Sequence, residues 1–117
     1  MAGQPKHIPA VFFRSETGAE PVRDWLKGLA KHDRFRIGTD IKTVEFGWPI
    51  GMPICRPLKH GLFEVRTDLG NRIARVLFCI AEGRMVLLHG FIKKSRKTPQ
   101  HDLDLAMERK RKLERPS

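Results

Sequence analysis

Apolar positions along the chain recur with two different periods, and the switches between them mark out the elements. Ile8–Phe13 is a short apolar run carrying Val11, Phe12 and Phe13, and it predicts a first strand; the Ser15–Gly18 stretch behind it reads as a loop. Helical spacing follows. Glu20 and Pro21 open a helix, because proline suits the first helical position, and Val22, Trp25, Leu26 and Leu29 fall on one face. Asp33 is the expected N-cap of a second helix, with Ile37, Ile41, Val44 and Trp48 inward and Gly47 and Pro49 ending it. The pair reads as a helical hairpin, with Trp25 and Trp48 in the core rather than serving as base-stacking platforms.

Pro49–Pro57 carries three prolines and reads as a connector. Three strand-like runs come next. Leu62–Arg66 alternates, with Phe63 and Val65 on one side and Glu64 and Arg66 on the other. After a turn at 68–71, Arg72–Ala81 is apolar on both faces, as a central strand should be. Glu82-Gly83 is a two-residue hairpin turn, and Met85–Ile92 is the returning strand. A last helix starts at Thr98 as N-cap and Pro99, with Asp102 and Asp104 at its positive end, Arg109 to Lys112 at its negative end, and an apolar stripe of Leu103, Ala106, Met107 and Leu113. The order is β-α-α-β-β-β-α: an α+β fold, one domain over residues 1–117, in which an antiparallel sheet carries a helical hairpin and a C-terminal helix.

Charge adds a functional constraint. Lys and Arg number 23 against 13 Asp and Glu, a net +10, so the surface attracts polyanions, and nucleic acid is the commonest of these; an acidic protein partner would be drawn as well. The two cysteines, Cys55 and Cys79, have no CxxC or Cys/His spacing, which argues against a structural zinc, and Cys79 sits in an apolar run. The chain shows no signal-peptide pattern, and its longest apolar stretches, Val76–Ala81 and Met85–Leu88, are too short to cross a bilayer. A cytoplasmic protein without membrane partners is expected. Phosphate-binding P-loop, dinucleotide, zincin and serine-hydrolase motifs are all missing from the sequence.

The remaining candidates lie on or beside the strands. Lys59 and His60 precede the first strand of the meander. Glu64 and Arg66 share its polar face, Arg75 interrupts the apolar central strand, and His89 lies inside the last strand. Lys93, Lys94, Arg96 and Lys97 follow directly, and His101 opens the last helix. A guanidinium in a central strand needs an anion or a solvated groove, so Arg75 reads either as a salt bridge to Glu64 or as a phosphate ligand. Glu64 is either a solvated strand residue or a base, and His89 either a satisfied structural histidine or part of a site. The 93–97 run is a solvated face or, at the end of a strand and before a helix, a phosphate site. Metal-free RNA cleavage needs a base for the ribose 2′-OH, cations for the charged phosphate and an acid for the leaving oxygen, and these residue types supply such parts without a cofactor.

Four stretches together resemble the phage-derived, HigB-like branch of the RelE superfamily: Leu62–Arg66, Ile73–Phe78, Val86–Lys94 with its His89-Gly-Phe-Ile-Lys-Lys string, and the helix after Thr98-Pro99. The resemblance covers nearly the whole chain. It implies a microbial-RNase-type fold, a toxin of a type II toxin–antitoxin system, cleavage of messenger RNA on the ribosome, and a neutralising antitoxin, often a helix-turn-helix protein. By position it implies that Arg66 and Arg75 hold the scissile phosphate and that Lys94, with Lys93 as the other candidate, is the basic residue after the last strand. Glu64 falls where some relatives have a polar or acidic catalytic residue. On this reading Lys59, His60, Lys93, Arg96 and Lys97 bind RNA. The chain has no Tyr, which many such enzymes place near the last helix; His101 is the substitute. Two alternatives use the same scaffold: a non-enzymatic, ParE-like toxin acting on a topoisomerase, and a plain nucleic-acid-binding module, whose affinity falls with salt but which yields no cleavage product.

Overall fold

A computed structural model describes residues 6–93 and 98–114. The elements are β1 (Ala10–Phe12), α1 (Pro21–Lys27), α2 (Lys31–Gly47), β2 (Cys55–Pro57), β3 (Phe63–Asp68), β4 (Ile73–Ala81), β5 (Arg84–Lys93) and α3 (Gln100–Glu114), with a single 3₁₀ turn at Lys59–Gly61. The fold is α+β, a five-stranded mixed sheet in the order β1-β5-β4-β3-β2 with three helices, compatible with a RelE-like fold. β1 runs parallel to β5, and the other neighbours are antiparallel.

β4 is the central strand, and its alternation sets the layers. Ala74, Val76 and Phe78 face one core with Val22 of α1 and Ile37, Ile41 and Val44 of α2. Leu77 and Cys79 face a second core with Ala106, Leu103 and Met107 of α3. Helices therefore cover both faces of the sheet, α1 lying over β5, α2 over β3, and α3 over β4 and β5. α1 comes close to β5 because Gly90 presents no side chain: a Cβ there would run into the Trp25 ring. The Glu82-Gly83 turn has positive φ at both residues, 53° and 73°, which is the type I′ geometry a two-residue hairpin requires.

Several local expectations are corrected. Asp33 does not cap α2, which begins at Lys31 after Ala30. Its buried carboxylate instead receives Arg72 Nη2 at 3.1 and 3.2 Å, fastening α2 to the β3–β4 turn. The proline-rich connector contains β2, whose pairing with Phe63–Val65 the prolines had hidden; Pro57 is tolerated because β2 is an edge strand. β1 makes the sheet mixed rather than wholly antiparallel, and it is anchored by buried Glu45 of α2, which accepts the Ala10 N–H at 2.6 Å and pairs with Lys6 at 3.0 Å. Thr98 is not the cap of α3. The Pro99 carbonyl accepts the first helical N–H groups, from Asp102 and Leu103, which leaves the Thr98 side chain for another partner.

Candidate active site

On the α3 side of the sheet, strand register brings polar residues from separate segments into rows. Arg56, Glu64, Leu77 and His89 form one row across β2, β3, β4 and β5; Arg66, Arg75 and Phe91 form the next. Lys93 lies one alternation further along β5 on the same face. A register shift between Leu77 and Phe78 leaves Leu88 as an extra residue of β5, so both Leu88 and His89 turn toward α3. The displaced Leu88 carbonyl accepts a hydrogen bond from Arg109 Nη1 of α3 at 2.7 Å.

Glu64 is the hub. Arg75 Nη1 donates to its Oε2 at 2.8 Å, Arg56 Nη2 approaches the same oxygen at 3.3 Å, and the Thr98 hydroxyl donates to Oε1 at 2.7 Å. Glu64 and Arg75 are both 0 % exposed, whereas the Arg56 side chain is 35 % exposed and forms the open wall of the cluster. Such a pair is held by mutual neutralisation: each charge buried alone would carry a large desolvation penalty. Arg66 is half-buried and, among the described residues, its side chain makes no ion pair or hydrogen bond. Four cationic side chains, Arg56, Arg66, Arg75 and Lys93, thus share a face with the carboxylates of Glu64 and Asp68, and Asp102 reaches the same face from α3.

His89 completes the face. Its Nε2 is 2.6 Å from Asp102 Oδ1 of α3, and its ring stacks on Phe91 with centroids 5.5 Å apart. Burial pushes its pKa below the ordinary 6.5 despite the pull of Asp102, with the nearby charges of Arg109 and His101 acting in the same direction as burial. His89 is therefore neutral near pH 7, its Nε2–H donated to Asp102. The thiols are poor nucleophiles: burial, helped by Glu64, pushes Cys55 up to about 11, and burial raises Cys79 as well. Among the described residues no group of His, Cys, Asp and Glu gathers that could hold a metal ion, and no helix is long and apolar enough to cross a membrane.

Of the residues singled out from the sequence, Glu64, Arg66, Arg75 and Lys93 come together, and exposed His101 sits in the first turn of α3 within electrostatic reach of His89. Lys59 and His60 do not join them. They lie in the 3₁₀ turn at the other end of β3, near Lys110 in the second half of α3. Lys94, Arg96 and Lys97 fall outside the described residues. Sequence reasoning missed Arg56, hidden in the connector, and Thr98, read as a cap. Arg56 gave no usable signal, because Cys55–Pro57 is too short a run to show an alternation.

The family model described as Phage derived protein Gp49-like (DUF891) matches residues 24–111. No curated protein matches the chain.

Proposed function

Because the chain belongs to the phage-derived Gp49-like family, a RelE/toxin-like family, we propose that it is a toxin of a type II toxin–antitoxin system that cleaves messenger RNA without a metal ion, in the manner of HigB-like proteins. The observation that carries the reading is the row Arg66–Arg75 beside the Glu64 hub, on the face that also holds Arg56, Lys93 and His89. Arg66, Arg56 and Lys93, with Lys94 as the further candidate from the sequence, neutralise the phosphate as it gains charge in the transition state. Arg75 and Glu64 act beneath them. Both Glu64 oxygens are engaged, so this carboxylate orients guanidinium groups rather than taking a proton. The base for the 2′-OH is then His89, a neutral imidazole on this face, with His101 in the first turn of α3 as the other candidate. The base takes the 2′-OH proton, the 2′ oxygen bonds to phosphorus as the bond to the 5′ oxygen breaks, and the departing 5′ oxygen takes up a proton, leaving a 2′,3′-cyclic phosphate and a 5′-hydroxyl.

A second reading has a specific observation behind it. Arg75 is 0 % exposed and paired with Glu64, as a structural arginine would be, and this favours a non-enzymatic, ParE-like toxin on the same scaffold. One experiment separates the two. Induced expression without the neighbouring antitoxin gene should arrest growth, and mapped RNA ends should show new 5′-hydroxyl termini within translated messages. Intact RNA accompanied by a DNA-damage response would reject the nuclease. The expected antitoxin is a small helix-turn-helix protein with an acidic or amphipathic segment that masks the cationic face.

A further inference from the structure

The other face of the molecule carries a feature that the proposed chemistry does not use. Phe35 of α2 is 73 % exposed, the most exposed large apolar side chain among the described residues. It stands in a shallow depression lined by Arg34, Phe35, Gly38, Thr39 and Lys42. A side chain at Gly38 would meet nothing within 4 Å, so the floor is open. This depression shares Phe35 and Thr39 with a second one, which reaches Asp40 and Asp68, and a third continues from those two aspartates past Ile54 to Arg66. The three adjoin one another, with the Phe35–Thr39 ridge of α2 standing between the first two, and together they form an interrupted trough from Arg66, at the candidate active site, around the β3 end to α2.

We propose that this trough guides the RNA strand away from Arg66 and that Phe35 stacks an unpaired base, with Arg34 and Lys42 holding flanking phosphates; the inference rests on the ribonuclease reading above. An exposed aromatic ring between cations is the arrangement that binds single strands without sequence preference, because every base offers a π-face. Arg34 and Lys42 are about 12 Å apart along the helix, which leaves room for the chain on both sides of a stacked base. Asp40 and Asp68 in the middle of the trough repel phosphate but accept hydrogen bonds from ribose 2′-hydroxyls, the group that distinguishes RNA from DNA. A protein partner fits less well. Stable protein interfaces centre on clustered apolar anchors, and this depression offers one ring among Arg, Lys, Gly and Thr.

The test uses the full chain and a fluorescent single-stranded RNA with 2′-O-methyl groups, which cannot be cleaved. Phe35→Ala should weaken binding about tenfold, the loss of one base–aromatic stack. Lys42→Glu should weaken it and flatten its dependence on salt. Circular dichroism of both variants should match the parent, since both side chains are exposed. Unchanged RNA affinity in Phe35→Ala would overturn the proposal, as would loss of binding to a purified acidic partner protein with RNA binding intact. The two readings fail separately. If the parent cleaves unmodified RNA while Phe35→Ala binds normally, only the trough is wrong. If the parent cleaves nothing yet Phe35→Ala loses RNA affinity, only the nuclease is wrong.

Discussion

Arg66 and Arg75 stand directly opposite each other on β3 and β4. Like charges at opposed positions destabilise a sheet, so the arrangement needs compensation. Arg75 obtains it from Glu64 at 2.8 Å, while the Arg66 side chain makes no ion pair among the described residues. An unspent cation held beside a buried, neutralised one is costly as architecture and useful as an anion site.

The first prediction follows from that asymmetry. Arg66→Ala should cut RNA cleavage by roughly a hundredfold, the scale for removing one group that stabilises developing charge. Stability should stay within about 0.5 kcal/mol of the parent, because no partner is stranded. Single-turnover cleavage and urea unfolding on the same preparation check both halves. Full activity in this variant would remove Arg66 from the site.

Glu64 gives the opposite pattern. Glu64→Ala strands the buried Arg75 without its carboxylate and should cost about 3–5 kcal/mol, the usual price of breaking a buried ion pair from one side. The double variant Glu64→Leu, Arg75→Met removes both charges and should recover most of that loss while staying inactive. Urea denaturation of the single and double variants decides this. A single variant as stable as the parent would mean that the hub is not what holds these strands in place.

His89 predicts a pH dependence. Its folded pKa is lower than its ordinary 6.5, so the unfolded chain binds this proton more readily than the folded one. Stability contributed by His89 is therefore fully present above the unfolded value and falls as pH drops from 6.5 toward the folded pKa. The urea midpoint should decline between about pH 7.5 and pH 5.5, and His89→Gln should flatten that decline. An identical slope in the variant would show that other groups govern the acid limb.

The strands and helices were legible because β4 is apolar on both faces, β3 alternates and α1 opens at a proline. The opposition of Arg66 and Arg75 was only implicit: each strand's parity could be read, but register depends on where the 68–72 turn closes, which one sequence does not fix. Arg56 escaped for a related reason. A three-residue edge strand between prolines carries too little periodicity to declare itself, and its role appears only once Cys55–Pro57 pairs with β3. Asp33 and Thr98 misled because good capping residues also make good partners for distant side chains, and tertiary bonds to Arg72 and Glu64 won.

Gly90 tests how the far side of β5 supports the site. It lies between His89 and Phe91, but it faces the opposite core, where the Trp25 ring occupies the space a side chain would need, with Cδ2 at 2.9 Å from an added Cβ. Neither neighbour yields easily: Trp25 is a bulky ring on α1, and β5 is held at Gly90 by its pairing with Val76 of the central strand β4. Gly90→Ala should therefore cost about 1–3 kcal/mol by overpacking, more than the small gain expected from removing a strand glycine. Because displaced strain passes to the adjoining residues, the variant should also disturb the stacking of His89 on Phe91 and lower cleavage beyond what its stability explains. Trp25→Leu in the Gly90→Ala background should restore part of both, since a smaller side chain makes room. Thermal unfolding and cleavage of the four variants in the cycle measure the coupling, and additive losses would show that Gly90 and Trp25 act independently.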